Sequence, residues 1–188
     1  MKEDINKTLE VLRNGGTFLY PTDTIWGLGC DATNIAAVKK IYDIKNREDN
    51  KSLIILVDEI SRIDRYVDKV PEVVYQLLEF AEKPLTVVLE GAQYLADNVI
   101  NKEDRSIGIR VVQDPFCKQL INRFRKPIVS TSANISGEPS PANFNEIADK
   151  VKQKVDYIVE HRQDDYTKAQ PSGIILVRKD STFKIIRE

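Results

Sequence analysis

The stretch TFLYPTDTIWGLGCDA, residues 17–32, decides between two folds. Its last six residues, Gly27 to Ala32, fit the GxGxxA variant of the dinucleotide fingerprint and lead into a helical pattern, as in a Rossmann domain. That fingerprint needs a strand running straight into the first glycine, and an acidic residue at the end of a second strand to hold the ribose. Here the strand TFLY is interrupted by Pro21 and the polar run PTDT, and no such acid is evident. The stretch is therefore read as a short buried strand followed by a polar extended segment, with Thr22 and Thr24 on one side. No GxxxxGK[ST] sequence occurs, so a P-loop nucleotidase is not supported either.

Outward from this stretch, strand and helix patterns intermingle. Upstream, Ile5, Leu9 and Leu12 recur at helical spacing between Lys2 and Asn14, and Gly15-Gly16 supplies the stop. Downstream, a helix is predicted from Ile35 to Ile44 with Asn34 as its N-cap. Apolar extended runs follow at Leu53–Val57, Leu85–Leu89, Ser106–Val112 and Pro127–Thr131. Between them lie the helical patterns PEVVYQLLEFAE (71–82) and DPFCKQLINRF (114–124), the second with Asp114 as N-cap and Pro115 at the first helical position. A last helix is predicted over NFNEIADKVKQKV (143–155), before VDYIVEH. The terminal runs GIILVRK and TFKIIRE flank an Asp180-Ser181 turn as a hairpin. The pattern predicts an α/β, or mixed α+β, fold: a twisted, largely mixed-direction sheet with helices packed on it, in one domain over residues 1–188.

Composition narrows the function classes. Hydrophobic residues make up 41% and charged residues 30% of the 188, as in an ordinary globular protein. The N-terminal segment is an amphipathic helix pattern without the apolar core of a secretion signal. No apolar run approaches the roughly 20 residues that span a bilayer, so a cytoplasmic, membrane-free protein is expected. Cys30 and Cys117 stand far apart without a CxxC partner, which suggests buried reduced thiols and not a zinc site or redox pair. His161 is the sole histidine, which argues against a catalytic triad or a multi-histidine metal centre. With a net charge of −1, a polyanionic substrate needs a local cluster of cations.

Four segments could supply such chemistry. In VSTSANISG, Ser130, Ser132 and Asn134 project the same way if the stretch remains extended. In SIGIRVV, Ser106 and Arg110 share a face, with Gly108 between them leaving room for something to lie against the sheet. Thr22 and Thr24 repeat the alternation. In IKNREDNK, Lys45 and Arg47 can converge as a phosphate clamp if the helix ends at Lys45, with Lys51 just beyond. The Pro/Ser/Gly-rich stretch ISGEPSPANF (135–144) is read as a loop.

Taken together, YPTDTIWGLGCDA, the Lys45-Asn46-Arg47 KxR, KPLTVVL (83–89), GIRV (108–111) and STSANISGEPSP (130–141) resemble, in this order, the YrdC/TsaC family of threonylcarbamoyl-AMP synthases in its short form. The resemblance implies a nucleotidyltransferase that joins L-threonine, bicarbonate or CO2, and ATP into threonylcarbamoyl-AMP and pyrophosphate, for the N6-threonylcarbamoyladenosine modification of tRNA. It implies no protein nucleophile, and Mg2+ bound mainly through the ATP phosphates. By position it assigns Thr24, Arg110 and Ser130 to threonine. It assigns Lys45, Arg47, Lys51, Ser106, Ser132, Asn134, Ser140 and Arg187 to ATP, with Lys45, Arg47, Ser132 and Asn134 as the catalytic core. It also implies a downstream tRNA-modifying transferase as partner. The chain departs from the family pattern at Leu56, where a histidine is usual, at Lys51, in QPSGII (170–175), and after Arg187, where Pro-Gly is missing. The alternative is an RNA-binding protein of the same fold without synthase activity. A convergent threonine pocket and a neutral net charge both speak against it.

Overall fold

The computed structural model describes residues 1–46 and 53–188. Helix α1 (Lys2–Arg13) buries Ile5, Leu9 and Leu12 on one face and stops at Asn14. Gly15, at φ 66°, turns the chain toward strand β1 (Phe18–Tyr20). The glycines of the fingerprint form a strand, β2 (Gly27–Gly29), antiparallel to β1 with Tyr20 opposite Gly27 and Phe18 opposite Gly29. A Cβ at Gly27 or Gly29 would meet the Tyr20 ring at 2.9 or 2.8 Å. The two glycines therefore make room for an aromatic ring and not for a pyrophosphate. The Tyr20 hydroxyl goes on to donate to the carbonyl of Val129 at 3.2 Å.

Helix α2 (Ile35–Lys45) begins as predicted: Asn34 Oδ1 accepts from the Ala37 N–H. It ends at Asn46, which is left-handed at φ 48°, a conformation Asn tolerates better than most residues. Then come β3 (Ile54–Val57), the short α3 (Ile63–Tyr66), α4 (Glu72–Glu79), β4 (Leu85–Leu89) and β5 (Ile107–Val111). Helix α5 (Pro115–Phe124) is capped by Asp114, whose side chain accepts from the Cys117 N–H. After it follow β6 (Ile128–Ser132), α6 (Asp149–Lys152), β7 (Tyr157–Ile158), β8 (Gly173–Val177) and β9 (Phe183–Arg187).

The helix predicted over 143–155 is not continuous. Asn143 caps a single 3-10 turn at Phe144–Glu146, and Ile147 is extended and buried before α6 begins. Helical spacing is present, but sinking Ile147 into the core wins over continuing the helix. The hairpin of β8 and β9 forms around Asp180-Ser181 as predicted, with Asp180 accepting from the Thr182 N–H and hydroxyl.

Among the described residues the strands form one sheet in the order β7-β1-β2-β6-β3-β5-β4-β8-β9. The pairs β1/β7, β3/β5 and β4/β8 are parallel and the others antiparallel, so the sheet is mixed in direction. Alternation gives it two different faces. One face carries Leu19, Leu28, Ile55, Val57, Val87, Ile109 and Val129, and packs against α2, α3 and α4. The other carries Phe18, Tyr20, Leu56 and Ile128 and is covered by α1 and α5 through Leu9, Leu12, Phe116 and Leu120. That second cover is partial. Beyond it the same face continues through Ser130, Ile54, Arg110 and Thr86, and there the sheet floors a cavity. No helix among the described residues is long and apolar enough to cross a membrane.

Candidate active site

The cavity holds about 260 Å³. Its floor follows from strand register. Gly27 pairs with Ser132, Ser130 with Ile54, Arg110 with Thr86, Thr86 with Ile174, and Ile174 with Arg187, so all of these point from one face. Thr24 to Trp26, Ser140, and Pro171-Ser172 wall it from three loops. A second cavity of about 600 Å³ adjoins it across Pro171 and Arg187, with Leu77, Leu85, Ile175 and Ile185 on its walls.

The YPTDT segment, expected to be extended, is a turn. The Thr22 hydroxyl accepts from the Thr24 N–H at 2.9 Å and donates to the carbonyl of Ile25 at 2.8 Å. Thr and Ser hydroxyls offer the backbone this alternative to a strand. The turn puts Thr24 Oγ1 2.9 Å from Arg110 Nη1, which donates to it, and 3.0 Å from Thr22 Oγ1. Asp23 Oδ1 lies 3.2 Å from Arg110 Nη2, at ion-pair distance without hydrogen-bond alignment.

Arg110 is 3% exposed, and its Nε and Nη2 have no hydrogen-bond partner. Asp23 balances part of its charge, but buried guanidinium donors without an aligned acceptor remain costly, and an acceptor entering the cavity in line with them would remove that cost. Arg187 adds a second cation. Its Nε donates to the carbonyl of Ser172 at 2.9 Å, and partial burial together with the charge of Arg110 holds its guanidinium below the ordinary value. Two guanidinium groups on one small cavity oppose each other, and a carboxylate or phosphate between them relieves both. Below Arg110, Thr86 Oγ1 and Ser172 Oγ are 2.8 Å apart and buried, which fixes the floor.

At the other end of the cavity, Lys45 reaches the end of β6. Its ammonium donates to the carbonyls of Ser132 at 2.6 Å and Asn134 at 2.7 Å, and to Asn134 Oδ1 at 3.1 Å. Lys45 is 2% exposed. Its own carbonyl accepts from the Ser136 N–H at 2.8 Å, so helix end and loop hold each other in both directions. Asn134 is not on the strand. The chain bends after Ser132, the Asn134 N–H turns back to the Ser132 carbonyl, and the Ser132 hydroxyl donates to Asn134 Oδ1. The loop is completed by Gly137 at φ 87°, by Asn134 Nδ2 donating to the carbonyl of Glu138, and by a Lys150–Glu138 ion pair. Trp26 backs it, its ring 4.9 Å from that of Phe144.

The structure thus brings Thr24, Arg110, Ser130, Ser132, Ser140 and Arg187 to one cavity, with Lys45 and Asn134 bonded to Ser132 at its rim. Ser106 is buried at the far end of β5 and is not part of the lining; the room left at Gly108 is taken by the Ile54 side chain, 2.8 Å from where a Cβ would stand. Leu56 lies under α1 and α5 in the core. Arg47 and Lys51 lie outside the described residues. Sequence reasoning missed Asp23, Thr86 and Ser172, since a lone Asp or a Thr–Ser pair 86 positions apart leaves no local signal. Among the described residues no group of three or more His, Cys, Asp or Glu side chains could hold a metal ion.

Fold and cavity together define a class: a mixed-sheet α/β domain with an arginine-bearing cavity on one sheet face and a lysine-anchored Ser/Asn loop at its rim. The family model Sua5/YciO/YrdC, described as telomere recombination, matches residues 10–188, and the chain belongs to that family. A Methanocaldococcus jannaschii protein provisionally named a threonylcarbamoyl-AMP synthase is 35% identical over 189 residues, which covers 98% of this chain and 87% of the relative. The threonylcarbamoyl-AMP synthase of Vibrio parahaemolyticus is 29% identical and covers 99% of both. The crystal structure of P. abyssi Sua5 complexed with L-threonine superposes with a TM-score of 0.81 at 27% identity over 92% of this chain. This chain spans about half the length of that one, 50%.

Proposed function

We propose that the chain is a threonylcarbamoyl-AMP synthase, which converts L-threonine, bicarbonate or CO2, and ATP into threonylcarbamoyl-AMP and pyrophosphate for tRNA N6-threonylcarbamoyladenosine formation. The observation that carries the site assignment is Arg110, buried on the cavity with Nε and Nη2 lacking a hydrogen-bond partner although Asp23 stands at ion-pair distance. The threonine carboxylate takes those donors, where a planar fork suits it better than a point charge would. Thr24 and Ser130 supply hydroxyls to the rest of the amino acid. The neutral amine captures CO2 and releases a proton to solvent to give a carbamate, and a carbamate oxygen then attacks the α-phosphorus as the bond to the pyrophosphate oxygen breaks. No residue needs to become covalently attached.

The protein's share is position and charge. Ser132, Asn134 and Ser140 face the phosphates from the rim, and Arg187 meets the nucleotide from β9. Lys45 adds a cation at the rim, and the family pattern assigns Arg47 and Lys51 to the phosphates as well. Mg2+ would be held by the ATP phosphates themselves and would neutralise charge on the leaving pyrophosphate. A tRNA-modifying transferase then consumes the product. The test is pyrophosphate release from ATP, Mg2+ and bicarbonate with and without L-threonine. Release that depends on threonine is expected; threonine-independent release, or none, overturns the proposal.

A further inference from the structure

Arg162 lies between β7 and β8 and belongs to none of the motifs quoted above. Its backbone is left-handed at φ 66°, which costs a non-glycine residue on the order of 1 kcal/mol and persists only where the surroundings enforce it. Here the side chain enforces it. Nη1 donates to the carbonyl of Thr22 at 3.1 Å and to Asp114 Oδ2 at 3.0 Å. Nε and Nη2 both donate to Asp165 Oδ2, at 3.1 and 3.0 Å. Each partner is itself fixed. Asp114 caps α5 and is buried. Asp165 accepts from the Thr167 N–H at 3.0 Å, and its carboxyl is held down to about 2, first by the Thr167 hydrogen bonds and then by Arg162, so it stays ionised at neutral pH.

Thr22 is the partner with a consequence, because its hydroxyl orders the turn that aims Thr24 at Arg110. That turn is also held from below: the buried Cys117 thiol donates to the carbonyl of Pro21 at 3.3 Å, and the Gln113 N–H donates to Asp23 Oδ2 at 2.8 Å. Arg162 differs from these two in its connections. The segment it starts runs on to Pro171 and Ser172, which wall the same cavity.

We propose that Arg162 is a positioning residue for the threonine site: it holds the Thr22–Ile25 turn in the register that orients Arg110, and fastens to it the start of the segment that leads to a second wall of the cavity, Pro171-Ser172. The inference rests on the reading of Arg110 as the carboxylate site. One guanidinium then couples the shape of two walls, and threonine binding is sensitive to it while the phosphate end, built from Lys45, Ser132 and Asn134, is not.

The experiment compares wild type, Arg162→Ala, Arg162→Lys and Arg110→Lys as full chains, by calorimetric threonine binding and by steady-state pyrophosphate release. Arg162→Ala should raise both Kd and KM for threonine roughly tenfold, the usual scale for losing a charged hydrogen bond, and leave KM for ATP unchanged. Arg162→Lys, a single ammonium in place of a fork with three partners, should fall between. Guanidinium ion added to Arg162→Ala should restore part of the threonine affinity. A merely structural residue would lower thermal stability without separating the two substrates. Wild-type threonine constants in Arg162→Ala, or equal rises in KM for threonine and ATP, overturn the proposal. If Arg162→Ala does not fold, Arg162→Lys decides on the same two constants. The underlying reading fails separately: Arg110→Lys binding threonine as wild type does removes the carboxylate assignment, whereas a weakened Arg110→Lys beside a normal Arg162→Ala removes Arg162 alone.

Discussion

Replacing Lys45 with methionine keeps the unbranched stem and deletes the ammonium, so the effect can be counted oxygen by oxygen. Among the described residues three acceptors lose a donor: the carbonyls of Ser132 and Asn134, and Asn134 Oδ1. Two of them keep another. The Ser132 carbonyl still accepts from the Asn134 N–H at 2.9 Å, and Asn134 Oδ1 from the Ser132 hydroxyl. Only the Asn134 carbonyl is left without a described donor, and one orphaned acceptor at a part-buried site costs up to about 1–3 kcal/mol. Three charge-assisted hydrogen bonds are lost besides, the relieved desolvation of the ammonium offsets most of them, and the net loss is on the order of 2 kcal/mol. For a domain of this size that is a fall in Tm of about 4–8 °C, readable by thermal and urea unfolding of the free protein. Turnover should fall further, by about a hundredfold or more, because the Ser132–Asn134 rim loses its anchor where phosphate charge develops. An unchanged Tm, or a destabilised protein with near-wild-type turnover, would refute the reasoning.

Four further outcomes are expected. Gly29→Ala places a Cβ 2.8 Å from both the Tyr20 ring and the Val129 carbonyl, and should lower stability by about 1–3 kcal/mol in urea titration; a neutral result would mean the strand yields more easily than its three-sided contact implies. Burial pushes the Cys30 and Cys117 thiols up, so neither should react with a disulfide reagent at pH 8 until the chain is unfolded, when both should. Burial alone would raise the Asp4 carboxyl, but the Glu160 N–H, the Tyr157 hydroxyl and the N-terminal amine outweigh it and hold the group below its ordinary value. Its contribution is therefore present above the unfolded value near 3.9 and lost as pH falls through the lower folded value. Asp4→Asn should thus cost about 1 kcal/mol at pH 7, with the gap to wild type closing in acid, by unfolding measured at several pH values. Arg47→Ala should lower pyrophosphate release by orders of magnitude with unfolding unchanged; wild-type turnover would remove Arg47 from the mechanism.

The sequence was most legible where a local rule has one outcome. Asn34 and Asp114 cap their helices as their positions predict, the terminal hairpin closes at Asp180-Ser181, and Ser130, Ser132 and Arg110 meet on a face because strand alternation leaves them no other choice. Legibility ended where side chains compete with the backbone or tertiary contact decides. The hydroxyl of Thr22 curls YPTDT into a turn, and Asn134 leaves the strand to bond with Ser132. Ile147 breaks a helix to reach the core. The GLG glycines could be told from a phosphate loop by the proline before them, but the Tyr20 ring they accommodate was not readable from the sequence. Ser106 shares a face with Arg110 by alternation and is still outside the cavity, because the Ile54 side chain lies over the intervening Gly108.

The position of β6 has a consequence for synthesis of the chain. It lies between β2 and β3 and pairs with both, yet it is made about a hundred residues after β2, a separation that marks a slow, non-local step. Until it emerges from the ribosome, the β1–β2 hairpin and the β3-β5-β4 ribbon are separate pieces, each with an open edge where another strand, native or foreign, can add. The nascent protein is thus open at the middle of its sheet until this keystone arrives, with the outer edges of β1 and β4 waiting longer for β7 and β8, and the strand that closes the middle also carries Ser130 and Ser132 into place.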